Sequence, residues 1–546
     1  MKDQGTTEPI AMKPADVAPP TGRGSAGWAL LILLAVGLGT ICVTAGDYGV
    51  SWDESVQRQY GEGVLRYFVS GGRDKSCNSF GNLMFYGPTF ELLVAAISQL
   101  WADHVYIVRH AATAVAALLT IPALLRIGRH LGSTWVGLLG GLALVMMPMF
   151  YGHAFVNSKD IPFACLFAWA MALILDRFAT DQWTWKRNAL FGLVLGLMCG
   201  TRPGGAAAAA IPLTAMFVWG ACFRTPGRPV PWRWRFMGEL TLGLAFAWVV
   251  MVLPWPYAHE NVLKHPIEAM GLAMRFPHAF PMLFEGRTIL STELPRYYLA
   301  KYLLITTPPV HLVGAALGIV AGVREQLRSP RSGRSQAIFL LQAWLLAPIV
   351  LFAIRPPNVY DSIRHFLFLF PALAMFHALG VVWLASKVTS ARARTAIVAG
   401  AVLMTLSPAI SLVRLHPYQM TYFNSFVGGL GGADGCYETD YWLTSFREAM
   451  EWVNTQAARE PDRRFTVLLA TRPNTLDTVK GFKAANVNVR ATPKGTRSGD
   501  RLPDDVDYAI LSTRAGQTPF RLSPVVHTVG REGAVFCVVR GREVPQ

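Results

Sequence analysis

Charged residues are scarce in this sequence: Asp, Glu, Lys and Arg make up 15% of its 546 residues, whereas a soluble globular domain has about 25%. Cysteines are also few, and the seven that are present show neither a CxxC pair nor the spacing of a zinc site. Internal repeats are lacking, and so are low-complexity tracts beyond the N-terminal tail. These absences exclude an ordinary soluble protein, a structural zinc domain and a repeat protein.

Long apolar segments take the place of the missing charge. Hydrophobic residues make up 52% of the chain, and a segment of about 20 apolar residues can cross the hydrocarbon core of a membrane. We therefore predict a polytopic α-helical membrane protein with about eleven transmembrane helices. The predicted spans are 27–46, 105–127, 133–152, 161–178, 188–201, 203–222, 237–256, 302–322, 336–354, 365–385 and 394–413. The segment 85–101 is apolar but short, and we predict a half-buried or interfacial helix there.

Basic residues set the predicted orientation. The chain carries a net charge of +16, and many of its Arg and Lys residues cluster in short loops between apolar segments, as the positive-inside rule describes. They are Arg126, Arg129, Arg177, Lys186, Arg187, Arg224, Arg228, Arg233, Arg235, Arg324, Arg328, Arg331, Arg334, Lys387, Arg392 and Arg394. This placement argues against nucleic acid as a partner. With these loops inside, residues 1–26 form a disordered cytoplasmic tail, residues 27–414 the transmembrane domain and residues 415–546 an extracytoplasmic domain.

The composition changes after the last predicted span. Residues 442–459 have apolar side chains at helical spacing, and four short strand-like runs follow, separated by Gly, Pro and Asp. The runs are 465–470, 486–490, 508–511 and 534–539. We predict a small soluble α/β domain. Cys77, Cys436 and Cys537 lie in segments that we place outside the membrane, and a disulfide between two of them is left open.

Two acidic segments lie next to predicted spans on the outer face. Asp53 and Glu54 follow the first span. Lys159 and Asp160 end the short loop between the third and fourth spans. An acidic residue beside a membrane span is a functional candidate by default. The alternatives are structural: Asp53 and Asp160 can each cap a helix N-terminus, and Asp160 can pair with Lys159.

Basic residues at the same face go against the positive-inside trend, so a partner must compensate their charge. The basic and aromatic candidates are Arg202, Arg355, Tyr360, Arg364 and His365. A lipid phosphate would compensate the arginines, because a guanidinium forms paired hydrogen bonds with phosphate oxygens. The alternative is ion pairing, for example between Arg364 and Asp361.

Acids and arginines on one face suit the transfer of a sugar from a lipid phosphate. Inverting transfer needs a base that takes the proton of the acceptor nucleophile as the phosphate leaves. A carboxylate beside the donor can be that base, and a cation or a metal ion can balance the leaving phosphate.

The order and spacing of several short segments resemble the GT-C superfamily of membrane glycosyltransferases, in the branch of the protein O-mannosyltransferases and the aminoarabinose transferase of lipid A. The segments are Asp53-Glu54, Phe85-Tyr86-Gly87-Pro88, Asp160-Ile161-Pro162, Thr201-Arg202-Pro203-Gly204, Leu294-Pro295-Arg296-Tyr297-Tyr298 and Tyr360-Asp361-Ser362-Ile363-Arg364-His365. The resemblance covers about 27–415. It implies the GT-C fold, with Asp53 as the catalytic aspartate and with Glu54 and Asp160 in acceptor binding, donor contact or metal coordination. The donor that it implies is a sugar on undecaprenyl, decaprenyl or dolichyl phosphate.

The chain departs from this family in its C-terminal part. It has no tandem MIR-type insert like that of the eukaryotic protein mannosyltransferases, which weakens the case for a protein acceptor. The segment 416–442 resembles a subgroup of bacterial relatives, and Glu438, Asp440 and Trp442 in it can line a sugar site. The alternative is a structural plug that joins the C-terminal domain to the membrane domain.

These features predict an inverting glycosyltransferase of the bacterial inner membrane that uses a polyprenyl-phosphate sugar on the periplasmic face. The acceptor (lipid, glycan or protein) and a requirement for a divalent metal stay open, and no organic cofactor is expected. The competing functions are a transporter or flippase of a lipid-linked sugar and a non-catalytic assembly subunit. Transporters often show repeats and midplane sites, whereas the charges here lie at one face; the retained acids and arginines argue against a scaffold.

Overall fold

The computed structural model describes residues 23–180, 183–223, 230, 233–274, 278–469, 473–493, 496–514 and 519–542. Most of the predicted N-terminal tail and the loop arginines Arg224 and Arg228 lie outside these ranges. The last residues assigned to the tail, 23–26, belong instead to the first helix.

The apolar segments form helices, because a hydrocarbon environment offers backbone N–H and C=O groups no other partners. The helices of the first half are α1 (Arg23–Thr44), α2 (Trp52–Val69), α3 (Thr89–Ser98), α4 (Val105–Leu118), α5 (Thr120–His130), α6 (Thr134–Val145), α7 (Pro148–Val156), α8 (Asp160–Ala179), α9 (Trp185–Thr201), α10 (Gly205–Cys222) and α11 (Trp234–Val252). Those of the second half are α12 (Pro256–Glu260), α13 (Lys264–Met274), α14 (Tyr298–Thr306), α15 (Pro309–Arg328), α16 (Gly333–Ile354), α17 (Phe370–Ala385), α18 (Ala391–Leu406), α19 (Ala409–Arg414), α20 (Gly429–Ala433), α21 (Phe446–Ala457) and α22 (Asp477–Lys480).

Nine helical segments in the described part of the chain are long and apolar enough to cross a membrane, and a tenth follows if α6 and α7 form one bent span. The bend between α6 and α7 is 72°, and Pro148 begins the second helix there. The count is lower than the eleven spans that we predicted, because α9 has only 17 residues. As predicted, the apolar segment around α3 forms a short helix of 10 residues.

The centre of the helical bundle is packed through glycines. Helices α8 and α17 are mostly buried, whereas most of α1 is exposed. Helix α15 packs on α17 so closely that a Cβ added at Gly318 would overlap the carbonyl oxygen of Phe376. Small residues that allow close backbone approach are typical of helix contacts in membranes.

The C-terminal part contains a five-stranded mixed sheet. The strands of the chain are β1 (Pro281–Phe284), β2 (Arg287–Leu290), β3 (Phe465–Leu469), β4 (Val487–Ala491), β5 (Tyr508–Ser512), β6 (Val525–Arg531) and β7 (Ala534–Gly541). The sheet order is β4-β3-β5-β7-β6, with β3 parallel to β4 and β5, and β7 antiparallel to its neighbours. The predicted helix corresponds to α21 and the four predicted runs to β3, β4, β5 and β7; residue 470 lies outside the described ranges. Strand β6 and the β1–β2 hairpin were not predicted.

The sheet domain contacts the membrane domain close to the start of α2. The backbone N–H of Trp52 donates to the carbonyl of Trp442 at 3.2 Å, and Arg447 donates to the carbonyl of Tyr48 at 3.1 Å. All seven cysteines are free, so the disulfide that the sequence left open is not formed.

Candidate active site

The two acids at the start of α2 have different surroundings. Ser51 is the N-cap, and its side chain accepts from the backbone N–H of Glu54 while the Glu54 carboxylate accepts from the N–H of Ser51. The other Glu54 oxygen lies 3.2 Å from His110 Nε2. Glu54 is buried and fixes the helix start, so its contacts are structural. The alternative interpretation of Asp53 as the helix cap is wrong, because Ser51 occupies that position.

Asp53 points towards the loop that precedes α8. Its Oδ2 accepts a hydrogen bond from Lys159 Nζ at 3.0 Å, and 29% of its side chain is exposed. Burial disfavours the ionised carboxylate, but Lys159, Arg364 and Arg514 together outweigh burial and hold the pKa of Asp53 below its usual value. Lys159 also lies over the ring of Tyr86, with Nζ 5.6 Å from its centroid. The ion pair between Lys159 and Asp160, which the sequence left as an alternative, is therefore not formed, and Lys159 pairs with Asp53 instead.

Asp160 begins α8 and joins two of the predicted arginines. Its Oδ1 lies 2.5 Å from Arg202 Nη1, and its Oδ2 lies 3.5 Å from Arg364 Nη1. The Asn157 amide donates to Asp160 Oδ2 at 2.8 Å and its carbonyl oxygen accepts from the Asp160 backbone N–H at 2.9 Å. The aspartate is buried, and its contacts hold Arg202 and Arg364 at one place.

Arg364 is almost completely buried between charged and aromatic groups. Its Nη2 lies 3.0 Å from Asp361 Oδ2, and its guanidinium lies over the rings of Tyr360 and Trp442, at 4.7 and 5.4 Å from their centroids. The ion pair between Arg364 and Asp361, which the sequence left as an alternative, is present. Asp361 and Ser362 both have left-handed backbone angles, with φ of 61° and 60°, a costly conformation for residues other than glycine.

Arg514 of the sheet domain is a site residue that sequence reasoning missed. Its Nη2 lies 2.6 Å from Asp361 Oδ1, and its Nη1 donates to the carbonyl of Tyr441 at 2.7 Å. Its guanidinium lies over the ring of Trp52 at 5.1 Å. Arg514 follows strand β5, about 150 residues after Asp361 in the chain, and no local pattern marks it.

Glu438 and Asp440, the two acids predicted in the C-terminal part, are both buried but differ in their partners. Asp440 accepts hydrogen bonds from the backbone N–H groups of Thr444 and Ser445 at 3.0 and 2.8 Å, so it holds the turn before α21. Glu438 Oε1 lies 3.5 Å from Arg514 Nε and has no hydrogen-bond partner. Burial raises the pKa of Glu438 to about 7, against the opposing effect of Arg514. Glu438 therefore lies against the charged cluster through Arg514, and Asp440 supports the fold.

A second buried ion pair supports the loop before α8. Arg109 Nη2 lies 2.7 Å from Glu91 Oε2, and the hydroxyl of Ser158 donates to Glu91 Oε1 at 2.6 Å. Arg109 and Glu91 are both almost fully buried. Their charge inside an apolar segment was a signal that could have identified them.

An apolar cavity of about 460 Å³ lies beside the charged cluster. Its polar lining includes Arg202, Arg355, His365 and Tyr360, and its apolar lining includes Phe85, Phe163, Leu272, Leu351 and Phe368. Arg355 is exposed at the end of α16, and Nδ1 of His365 has no hydrogen-bond partner. The four predicted residues of the phosphate site thus lie near one another: Arg202, Arg355 and His365 line the cavity, and Arg364 shares Asp160 with Arg202.

Within the described residues, no three His, Cys, Asp or Glu side chains lie close enough together to hold a metal ion. The charged groups that lower the pKa of Asp53 are cationic side chains, first among them Lys159. The arrangement therefore provides an ionised carboxylate, a set of arginines and an apolar cavity.

Solved structures share this fold. The chain is similar to the oligosaccharyltransferase of Archaeoglobus fulgidus in the apo form, with 11% identity and a TM-score of 0.52 over 89% of this chain and 69% of that chain. It is similar to ArnT from Cupriavidus metallidurans bound to undecaprenyl phosphate, with 14% identity and a TM-score of 0.50 over 94% of this chain and 98% of that one. It is also similar to ArnT from Cupriavidus metallidurans in the apo state, with 16% identity and a TM-score of 0.51 over 95% of this chain and 99% of that one. No protein-family model and no curated protein sequence matches the chain.

The structural similarity identifies the class of fold. The chain is a multi-pass α-helical membrane protein with the GT-C fold, followed by a small C-terminal sheet domain. The fold that the sequence predicted is confirmed.

Proposed function

We propose that this protein is a membrane glycosyltransferase that moves a sugar from a polyprenyl-phosphate donor to a hydroxyl of an extracytoplasmic lipid, glycan or protein. The observation that carries this proposal is the ionised Asp53, paired with Lys159, beside a cavity that joins apolar walls to Arg202 and Arg355. The similar ArnT structure holds undecaprenyl phosphate, a ligand of the same chemistry.

The charges favour an anionic ligand. The inner cluster consists of Lys159, Arg202, Arg364 and Arg514 as cations and Asp53, Asp160 and Asp361 as carboxylates. Four cations against three carboxylates leave one positive charge uncompensated while Glu438 beside Arg514 is protonated, and Arg355 adds a second at the cavity. A phosphate group supplies the missing negative charge, and guanidinium groups match its geometry. The apolar walls suit the polyprenyl chain that carries the phosphate.

Asp53 is the proposed base of an inverting transfer. It takes the proton of the acceptor hydroxyl while that oxygen bonds to the anomeric carbon and the bond from this carbon to the phosphate oxygen breaks. The polyprenyl phosphate leaves with the bonding electrons, and the arginines stabilise its charge. Because the acceptor attacks opposite to the leaving phosphate, the anomeric configuration inverts. The cations around Asp53 favour its ionised form, and only the ionised carboxylate can accept the proton.

The remaining predicted residues have supporting roles in this proposal. Lys159 orients Asp53, and Tyr360 and Glu438 lie where a substrate would contact the cluster. We place the site at the periplasmic face of a bacterial inner membrane, with residues 415–546 on the same side, because the basic segments 126–129 and 387–394 belong inside.

Replacement of Asp53 tests the proposal. We expect Asp53→Asn to lower transfer by roughly 10²–10⁴, the usual contribution of a general base, with expression and membrane insertion unchanged. Membranes that contain the variant are incubated with radiolabelled polyprenyl-phosphate sugars, and the labelled product is identified.

The matched control is Asp47→Asn. Asp47 lies at the same end of the membrane domain, but its side chain is 49% exposed and pairs with His416 at 3.0 Å, so transfer should stay near the wild-type rate. Wild-type transfer by a folded Asp53→Asn protein would remove Asp53 from the mechanism. Failure of the wild-type protein to use any polyprenyl-phosphate sugar would contradict the proposed function.

A further inference from the structure

We propose that Arg514 of the C-terminal sheet domain is a positioning residue for the phosphate-binding arginine Arg364, and that it acts through Asp361. The sheet domain then forms part of the donor site rather than only covering it. This inference rests on the proposed function, since it assigns the control of donor binding to a residue outside the membrane helices.

The first argument is the geometry of the shared carboxylate. Asp361 Oδ1 lies 2.6 Å from Arg514 Nη2, and Asp361 Oδ2 lies 3.0 Å from Arg364 Nη2. Asp361 is fully buried and Arg364 is 1% exposed. Each oxygen of one carboxylate therefore holds one arginine, and a loss of Arg514 would leave one oxygen of a buried charge without its partner.

The second argument is the backbone of the loop. Asp361 and Ser362 both have left-handed backbone angles. Residues other than glycine keep this backbone conformation only where other contacts hold them. These two residues are consecutive, and only Ile363 separates them from Arg364. Because Arg514 binds the side chain of the first, it is one of the contacts that keep this loop, and therefore Arg364, in place.

The third argument is how firmly Arg514 itself is fixed. Its Nη1 donates to the carbonyl of Tyr441, and its guanidinium lies over the ring of Trp52. Trp52 precedes the candidate base in α2, and its backbone N–H donates to the carbonyl of Trp442. Arg514 thus connects the sheet domain, the start of α2 and the Asp361 loop.

Arg514→Gln tests the inference in the full-length protein in lipid nanodiscs. We expect faster amide hydrogen exchange in peptides that cover 356–364. We also expect roughly tenfold weaker binding of undecaprenyl phosphate, because the charge-assisted hydrogen bond from Arg514 to Asp361 that positions Arg364 is lost. Arg514→Lys should recover part of the affinity, because an ammonium keeps the charge but not the two-armed contact. In transfer assays the donor KM should rise more than kcat falls.

Two comparisons separate positioning from general stability. Arg531→Gln removes another arginine of the sheet domain, which pairs with Glu448 at 2.8 Å, and it should leave both loop exchange and affinity at wild-type values. Arg514→Gln combined with Asp361→Asn should weaken binding no more than the stronger single variant, because both act on one contact.

The outcomes distinguish this inference from the proposed function. Wild-type exchange in 356–364, or wild-type affinity, in Arg514→Gln would overturn the positioning role. Additive losses in the double variant would also overturn it. If the wild-type protein does not bind undecaprenyl phosphate, the proposed donor fails, while the exchange data still decide whether Arg514 holds the loop.

Discussion

At the scale of single residues, Glu438 is the carboxyl group of the candidate site whose negative charge has the weakest contact with a cation. It is 5% exposed, one of its oxygens has no hydrogen-bond partner, and the nearest guanidinium atom is 3.5 Å away. Burial raises its pKa from 4.5 to about 7. The folded protein therefore keeps a proton on Glu438 at pH values where the unfolded chain has lost it.

This raised pKa predicts a pH-dependent stability. Between about pH 4.5 and 7 the folded state binds more protons than the unfolded state, so the free energy of unfolding falls as pH rises. The loss is on the order of 3 kcal/mol at most. Glu438→Gln removes the ionisable group. We therefore expect the melting temperature of the variant to exceed that of the wild type by more at pH 8 than at pH 5.

Glu448, a second glutamate of the same domain, is the control, because its pKa is shifted in the opposite direction. Arg531 and Tyr418 hold the pKa of Glu448 below its usual value against the effect of burial, so its ion pair stabilises the fold at neutral pH and loses that effect on acidification. Glu448→Gln should therefore be less stable than wild type at pH 8 and closer to it at pH 4. An equal response of both variants to pH would contradict the assignment for Glu438.

Charged residue types beside the membrane spans indicated most residues of the candidate site, but not which of them contact the charged cluster and which hold the fold. Asp53 and Glu54 are adjacent acids with the same apparent setting in the sequence, yet the structure gives Glu54 to the helix cap and His110 and leaves Asp53 towards the cluster. Arg514 was not predictable, because its partner Asp361 lies far away in the chain and only the docking of the sheet domain brings them together.

At the scale of elements, the turn before α3 and the break between α9 and α10 meet directly. A Cβ added at Gly87 would overlap the carbonyl oxygen of Gly200. The residues next to this contact, Tyr86 and Arg202, both line the cavity. Two short motifs that are over a hundred residues apart therefore meet beside one cavity and both contribute to its lining, and the glycine at their contact is required by sterics.

Gly87→Ala should separate these two elements. Both sides of the contact are backbone, so neither can rotate away, and overpacking of this kind costs typically 1–3 kcal/mol. We expect a lower melting temperature and weaker donor binding, because Arg202 moves with the end of α9. Gly400→Ala is the control, since nothing lies within 4 Å of an added Cβ there; alanine in that helix should be neutral or stabilising by up to about 1 kcal/mol. Equal effects of the two changes would refute the steric argument.

Elements with a strong hydrophobic period were predictable, and elements held by tertiary contacts were not. Long apolar runs located the membrane helices, and Pro203 marked the break between α9 and α10. Strand β6 has the sequence VVHTVGR, whose mixed pattern is weak alone; its pairing with β7 makes it a strand. The β1–β2 hairpin turns at Glu285 and Gly286, both with positive φ, and its short strands gave no periodic signal.

At the scale of the whole molecule, the contacts of the site lead us to propose α9 as a further membrane crossing. Asp160 begins α8 and Arg202 follows the last residue of α9, and their side chains lie 2.5 Å apart. Helix α9 therefore returns over the distance that α8 covers. Its 17 residues span roughly 25 Å at about 1.5 Å per residue, close to the hydrocarbon thickness of about 30 Å. Counting α9 with the ten other spans makes the number odd.

With an odd number of crossings, the segment before α1 and the sheet domain would lie on opposite sides of the membrane. Ser498 lies after every span and is exposed, and Ser390 is the exposed N-cap of α18, between Lys387 and Arg392. We expect Ser498→Cys to react with a membrane-impermeant thiol reagent in intact cells or spheroplasts, and Ser390→Cys to react only after permeabilisation, because basic loops stay inside during insertion. The native cysteines are replaced first, Cys436 above all, since it is partly exposed in the C-terminal part.

The labelling of Ser498 decides more than orientation, because the candidate site draws on both domains. Asp361 in the membrane domain and Arg514 in the sheet domain are 2.6 Å apart, so the loop before α17 and the whole sheet domain must lie at one membrane face. Protection of Ser498→Cys until permeabilisation would put that face, and with it Asp53, on the cytoplasmic side. The site would then have no access to extracytoplasmic acceptors, and the acceptor class in the proposed function would have to change even if the lipid-phosphate donor were confirmed.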